Sequence, residues 1–369
     1  MNPDRTIEAV GLKALVDTLN RCGYLPFYLF FGDGNFRMRE WKVAAQRLTE
    51  PLRSLVRLFL LQMPVRRAAV SRIVGEQTLA QLVNTGILLE QGAELASNSF
   101  CLLSFRSCLC FCQLNPEPWA YFGRDSAALA TFQSYVPGGR VLDLCSGPGI
   151  QALLAARSAR SVTGVEINRP AWQVALLNQE LNSVGNHLRF VNSSLEEFAR
   201  RNHQQFDRIL FNPPYLPVPE GMDYSIVGHG GGDGLAVTKS ILELFRPALK
   251  ADGRFEFIGV TLGSGAGPAG YNPLLGLAKE HHLHGTTHIL SKHPLRTDSA
   301  LVNAHAVCLA RSNAIEPLKA REVLLKQFRA RGDEFFFFYF CSWGKTAKHC
   351  APTSNVIDMS SRRSNYWFV

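Results

Sequence analysis

From Val136 onward, short apolar runs alternate with segments of helical spacing, and no other property of this chain narrows its fold as much. RVLDL (140–144), SVTGVEI (161–167), LRFVN (188–192), DRILF (207–211) and GRFEFIGVT (253–261) read as strands. Between them, 150–157, 171–182, 195–201 and 236–249 read as helices. Apolar strands that alternate with helices imply an α/β fold with a doubly wound, mostly parallel sheet. Residues 303–310 read as a further strand, 318–330 as a helix and 334–343 as an added edge strand. The tail 344–369 is rich in Ser and basic residues and has no assigned element.

The N-terminal third has a different pattern. Residues 1–24 suit a helix, with Leu12, Leu15, Val16 and Leu19 on one face and Gly23 at its end. A turn is expected at 32–34. Thr49 and Pro51 open a helix carrying Leu52, Leu55, Val56, Phe59 and Leu60. Shorter helices follow over 65–74 and 76–84, then a strand at 87–90, a turn at 91–92 and a long strand over 100–112. Three helices and then a hairpin is the winged-helix order. The third helix, EQTLAQLVNTG, carries no Lys or Arg, so docking or substrate presentation suits it better than base readout. QLNPEPWA (113–120) reads as a linker. The expected division is 1–118 as a docking domain, 119–311 as a catalytic domain, and 312–369 as a helix, edge strand and tail.

Composition sets outer bounds. The chain has 369 residues, 46% of them hydrophobic, enough for a full core and two domains. The N-terminus has no apolar signal region, and the longest apolar run, 335–341, is far short of a membrane span, so a soluble cytoplasmic protein is expected. Cys108, Cys110 and Cys112 alternate as small buried hydrophobes do, and lack the CxxC spacing of zinc sites. His281, His282, His284 and His288 have no suitably spaced partner, so no metal is expected, and a loop or edge strand is the reading for them. Net charge is +9, with nine Lys/Arg against three acids in 37–76 and ten against five in 311–369. This excess permits a nucleic-acid or acidic protein partner, and equally a solvated basic surface. Nothing in the sequence specifies an oligomeric state.

Two motifs carry chemistry. VLDLCSGPGI places Asp143 at a strand end, then Cys145, Gly147 and Gly149 in a turn before a helix, where glycines allow close backbone approach to a ligand. The next strand ends in Glu166 and Ile167, an acid placed to accept two ribose hydroxyls. The third ends in Asn192 and Ser193, polar groups for an adenine edge. Gly147-x-Gly149-x-x-Ala152 also fits a dinucleotide fingerprint. An acid four residues earlier is awkward for a pyrophosphate but suits a cofactor with a cationic amino-acid end. The second motif is NPPY, Asn212–Pro213–Pro214–Tyr215, directly after a strand. Two prolines stiffen the turn. Asn212 Oδ1 and the Pro213 carbonyl are acceptors for a planar N–H group, and Tyr215 is a stacking wall.

Residues 121–311 resemble a class I S-adenosylmethionine-dependent methyltransferase, and most closely the amino-methyltransferases with an (N/D)PP(Y/F/W) motif, the HemK-like group. DLCSGPG matches the family's DxGxGxG, with Cys145 in place of the first glycine. HGGGDGL (229–235) is similar to a family segment that follows NPPY, and makes His229, Asp233 and Pro214 candidates for the acceptor side. YFGRDSAAL (121–129) is similar to the segment that covers the cofactor, which adds Tyr121. The resemblance implies S-adenosyl-L-methionine as methyl donor, S-adenosyl-L-homocysteine as product, and catalysis by Asn212, Pro213 and Tyr215. It implies N-methylation of a planar amide or amine on a protein or nucleic acid. A small-molecule methyltransferase, and a non-catalytic regulator that senses the cofactor while bound to nucleic acid, stay open as alternatives.

Overall fold

The computed structural model describes residues 12–32, 37–114, 118–264, 271–345 and 354–360. Residues 33 and 34 of the expected turn, the first eleven residues and most of the tail lie outside these. In chain order the elements are α1 (Leu12–Arg21), α2 (Tyr24–Phe30), α3 (Met38–Ala45), α4 (Leu52–Phe59), β1 (Val65–Arg66), α5 (Arg67–Val74), α6 (Glu76–Asn84), β2 (Leu88–Gln91), β3 (Glu94–Ser97), β4 (Phe100–Phe105) and β5 (Cys108–Gln113). Then come α7 (Arg124–Phe132), β6 (Arg140–Leu144), α8 (Ile150–Ala155), β7 (Ser161–Glu166), α9 (Arg169–Leu181), β8 (Leu188–Asn192), α10 (Leu195–Arg201), β9 (Phe206–Phe211) and α11 (Ala236–Phe245). The chain continues through β10 (Leu249–Gly263), α12 (Asn272–Glu280), β11 (Leu283–Pro294), α13 (Ala300–Ser312), α14 (Pro317–Arg331), β12 (Phe335–Lys345) and β13 (Ser354–Asp358). The architecture is the expected α/β one, with a parallel-rich sheet.

The chain divides into two compact units. The first holds the residues up to Ala127 together with Ser146–Arg157 and Val162–Asn192. After α1–α3 its N-terminal part runs helix, strand, helix, helix, hairpin from α4 to β3, and β1 joins the hairpin in the order β1-β3-β2. Gly75 at φ 83° makes the corner between α5 and α6. Arg67 ties that corner to the hairpin by contacting Glu76 at 2.9 Å and Glu90 at 3.0 Å. Residues 100–112 are not one strand. Arg106 and Ser107, both at positive φ, fold them into the β4–β5 hairpin. Left-handed turn residues are usually Gly or Asn, so the sequence carried no turn signal there. Cys108, Cys110 and Cys112 are buried. In the same unit β7 and β8 pair in parallel, ending with Glu166 opposite Asn192.

The second unit holds Ala128–Cys145, Ser158–Ser161 and the rest of the chain from Ser193. Six of its strands lie in the order β13-β11-β12-β10-β9-β6. β6, β9 and β10 run parallel, and β12 is antiparallel to both β10 and β11. Three expectations are corrected here. Residues 303–310 belong to helix α13, which Ser299 caps and whose buried Val302, His305, Ala306, Leu309 and Ala310 recur at helical spacing. β12 is an interior strand rather than an edge: Phe336 to Cys341 are all buried, because both neighbours and both faces cover them. β11, which carries His284 and His288, is interior too.

Candidate functional site

In the first unit the turn after Cys145 folds back on the end of β7. Ser146 N–H donates to Val165 O (3.1 Å), and Gly147 N–H donates to Glu166 Oε2 (2.8 Å). Asn168 N–H donates to the other carboxylate oxygen, Oε1, at 2.8 Å. Gly147 (φ 52°) and Gly149 (φ 87°) supply the left-handed conformations this needs. A Cβ at Gly149 would lie 2.5 Å from the Phe190 ring, so glycine is also a packing requirement there. Glu166 is buried, and burial pushes its carboxyl up, opposed by the N–H donors of Asn168, Gly147 and Ile167. Ile167 beside it is exposed.

Asn192 braces this acid. Its Nδ2 donates to the carbonyls of Glu166 (2.8 Å) and Ile167 (3.0 Å). Ser193 Oγ reaches Ser194 O (3.1 Å) and Glu197 Oε2 (3.3 Å). Tyr121, half-buried, donates its hydroxyl to buried Asp125 at 2.6 Å. A side chain missed by sequence reasoning is Asn178 of α9, fully buried. Its Nδ2 donates to Pro148 O (2.9 Å) and Phe111 O (3.1 Å), and its Oδ1 accepts from Phe111 N–H (2.8 Å). The available signal was an amide standing among the helix positions Val174, Leu177 and Leu181.

In the second unit β6 and β9 end together, the last register pair being Leu144 with Phe211. Cys145 and Asn212 therefore leave neighbouring strand ends side by side. Asp143, one pair earlier, is buried. Cys145, at φ 56°, takes a left-handed conformation where the motif usually has glycine. Asn212 is half-buried and Pro213 buried. Phe211 stacks on Phe257 (4.5 Å, 9°), and the Tyr215 ring meets Phe338 edge-on at 6.4 Å.

The glycine-rich segment packs on the NPPY backbone. Leu216 N–H donates to Gly228 O (2.8 Å), and Gly230 N–H donates to Leu216 O (2.9 Å). A Cβ at Gly230 would lie 2.6 Å from Tyr215 Cα, and one at Gly234 2.5 Å from Tyr215 O. Asp233 accepts from Leu235 N–H (2.9 Å) and pairs with Lys239 (3.1 Å), so its carboxylate anchors the start of α11. His229 is exposed, and its Nδ1 accepts from Gly231 N–H at 3.2 Å. Among the described residues no His/Cys/Asp/Glu group could hold a metal. None of the described helices is long and apolar enough to cross a membrane.

The donor set suits a cofactor with a ribose. A carboxylate is held in place by two backbone N–H groups at a strand end, beside glycines at positive φ and an exposed aliphatic side chain. Residues 125–220 match the family "Conserved hypothetical protein 95", and 37–98 match a domain of unknown function (DUF7059). A tRNA1(Val) (adenine(37)-N6)-methyltransferase from Shewanella baltica is 35% identical over 97 residues, 26% of this chain and 41% of that protein. A ribosomal protein uL3 glutamine methyltransferase from Bradyrhizobium diazoefficiens is 32% identical over 145 residues, 36% of this chain and 44% of that protein. The chain thus spans about two-fifths of the length of these curated relatives. Among solved structures, Trm5b from Pyrococcus abyssi aligns over 69% of this chain and 62% of its own, at 16% identity and a TM-score of 0.39. In its motifs and in these partial matches alike, the matched stretch is similar to S-adenosylmethionine-dependent methyltransferases of the HemK-like group.

Proposed function

We propose that this protein is an S-adenosyl-L-methionine-dependent N-methyltransferase that acts on a planar amide or amine of a macromolecule, nucleic acid or protein. The observation that carries the reading is the pairing of Leu144 with Phe211, from which Cys145 of the glycine motif and Asn212 of NPPY exit adjacent strands. One relative is named for N6-methylation of a tRNA adenine and the other for methylation of a protein glutamine, and both of those groups carry a planar nitrogen. Work on tRNA or ribosomal protein implies a cytoplasmic setting.

In this reading Glu166 accepts the ribose hydroxyls, Ile167 and Ser193 flank the adenine, and Asn192 keeps Glu166 and Ile167 in register. Asp143 holds the ammonium end, Cys145, Gly147 and Gly149 leave room for the cofactor, and Tyr121 covers it. When bound, S-adenosyl-L-methionine supplies an activated methyl group. Asn212 Oδ1 and the Pro213 carbonyl accept the two N–H hydrogens of the acceptor. They stabilise positive charge as it grows on that nitrogen, and so act most strongly in the transition state. Tyr215 and Pro214 wall the acceptor plane, while His229 and Asp233 shape the loop beside it. No strong base is required, because the proton leaves after the methyl group has moved. Alignment of a poor nucleophile can supply about 7–11 kcal/mol in ideal cases.

The test is transfer of labelled methyl into total tRNA, rRNA and ribosomal protein by wild type and Asn212→Ala. The variant is expected to keep cofactor affinity and lose turnover by about 10²–10³, the usual effect of deleting one transition-state contact. Equal loss of both would sink the role of Asn212. Absence of labelling in all three fractions would overturn the macromolecular acceptor.

A further inference from the structure

β11 and β12 are antiparallel neighbours, a relationship that a two-residue turn can connect. Instead the chain leaves the sheet for residues 295–334. The excursion is closed at its base by Leu295 N–H donating to Glu334 O at 2.8 Å. It forms α13 and α14, which pack in one apolar cluster with Val218, Val260, Leu262, Phe336 and Phe338, with Tyr215 at its margin.

This helix pair grips the segment after NPPY at three separated points. His305 of α13 donates Nε2–H to Pro217 O at 2.7 Å, since a carbonyl can only accept. Asn313 exchanges two bonds with the Asp223 backbone, accepting from its N–H (2.8 Å) and donating to its carbonyl (2.9 Å). Gln327 Nε2 and Arg331 Nη1 of α14 both donate to Gly232 O, at 2.9 and 3.1 Å. Between these points the segment is bonded to itself through Leu216, Gly228 and Gly230.

His305 is a poor choice for packing alone. It is 3% exposed, and its Nδ1 is buried without a hydrogen-bond partner among the described residues. A buried polar atom left unpaired is destabilising, and a Leu or Met would fill the space without it. Burial pushes the imidazole down to about 4, so it stays neutral and keeps its Nε2 proton for Pro217. Tyr224 meets it edge-on at 5.4 Å.

We propose that the α13–α14 pair is a clamp that sets the position of the acceptor notch, with His305 as its central positioning residue. The inference rests on the reading of Asn212–Tyr215 as that notch. Its test compares His305→Ala, His305→Leu, His305→Gln and the surface pair Gln327→Ala/Arg331→Ala in the full chain. Hydrogen exchange is followed by mass spectrometry. Methyl transfer is measured with labelled S-adenosyl-L-methionine, total tRNA and ribosomal protein.

The Ala and Leu variants are expected to speed exchange in 216–232 by at least about tenfold, the scale of one buried hydrogen bond, while β6 and β7 stay protected. Their kcat falls with acceptor KM and cofactor affinity unchanged, and His305→Gln, whose Nε2 can reach the same carbonyl, recovers most of it. The surface pair loosens 228–234 without touching the core. Unchanged exchange in His305→Leu and in the surface pair overturns the clamp. Faster exchange with unchanged kcat overturns the positioning role and leaves the methyltransferase reading intact. If wild type transfers no methyl group, that reading falls, and exchange alone still decides whether the clamp exists.

Discussion

Gly147 donates its main-chain N–H to Glu166 Oε2 at 2.8 Å, so the glycine turn and the acid at the end of β7 hold one another. Glu166→Gln is expected to weaken S-adenosyl-L-methionine binding by about 10- to 100-fold, since hydrogen bonds to a charged group contribute about 1.5–3 kcal/mol. Burial raises this carboxyl above its ordinary range. Binding that needs the ionised form therefore declines as pH falls through the raised value. The unliganded fold follows the opposite sign. A raised folded pKa stabilises fully below the unfolded value, and that contribution is lost as pH rises through the folded one. Glu166→Gln, which cannot titrate and keeps an acceptor for only one of the two N–H donors, is thus expected to lose this pH dependence of stability. Calorimetric titration and thermal melts across pH check both halves.

Cys145 sits at φ 56°. A left-handed non-glycine residue is strained by about 1–2 kcal/mol, partly offset by the greater unfolded-state freedom of glycine, about 0.5–1 kcal/mol. Cys145→Gly is expected to raise the melting temperature by roughly 1–3 °C. Cys145→Ala keeps the strain and should not. Equal melting of the two variants would contradict the account.

Asn178 satisfies three backbone groups at once, at Pro148 and at both polar atoms of Phe111. Asn178→Leu leaves them buried and unpaired, so a loss of about 3 kcal/mol or more is expected, at about 1–3 kcal/mol for each orphaned group. Denaturant unfolding measures this, and cofactor affinity should fall with it because the Pro148 turn loses its tether.

Gly234 has φ 80°, and a Cβ there would lie 2.5 Å from Tyr215 O. Gly234→Ala must displace the NPPY backbone. Turnover is expected to drop by about 10²-fold, as for a misplacement of about 1 Å at reacting groups, with cofactor binding kept. Retained turnover would show that the glycine loop does not set the notch.

The parallel half of the fold was legible because each strand is an apolar run bounded by a helix of clear period, and the motif glycines fall where turns must be tight. Other features carried no local mark. Arg106–Ser107 turns a hairpin with neither Gly nor Asn. The helix through 303–310 was masked by a short apolar stretch whose cap, Ser299, lies upstream. Asn178 and His305 look like ordinary helix residues until distant backbone groups arrive beside them. Asp233 was legible as a loop acid, but its bonds to Leu235 and Lys239 come from the local turn that follows.

β12 enters between β10 and β11, although both precede it in the chain. During vectorial synthesis those two strands must wait with open edges until residues 335–345 emerge to fill the slot. Unpaired strand edges are sticky. A chain stopped before Phe335 would therefore leave the facing edges of β10 and β11 open to pairing with other chains.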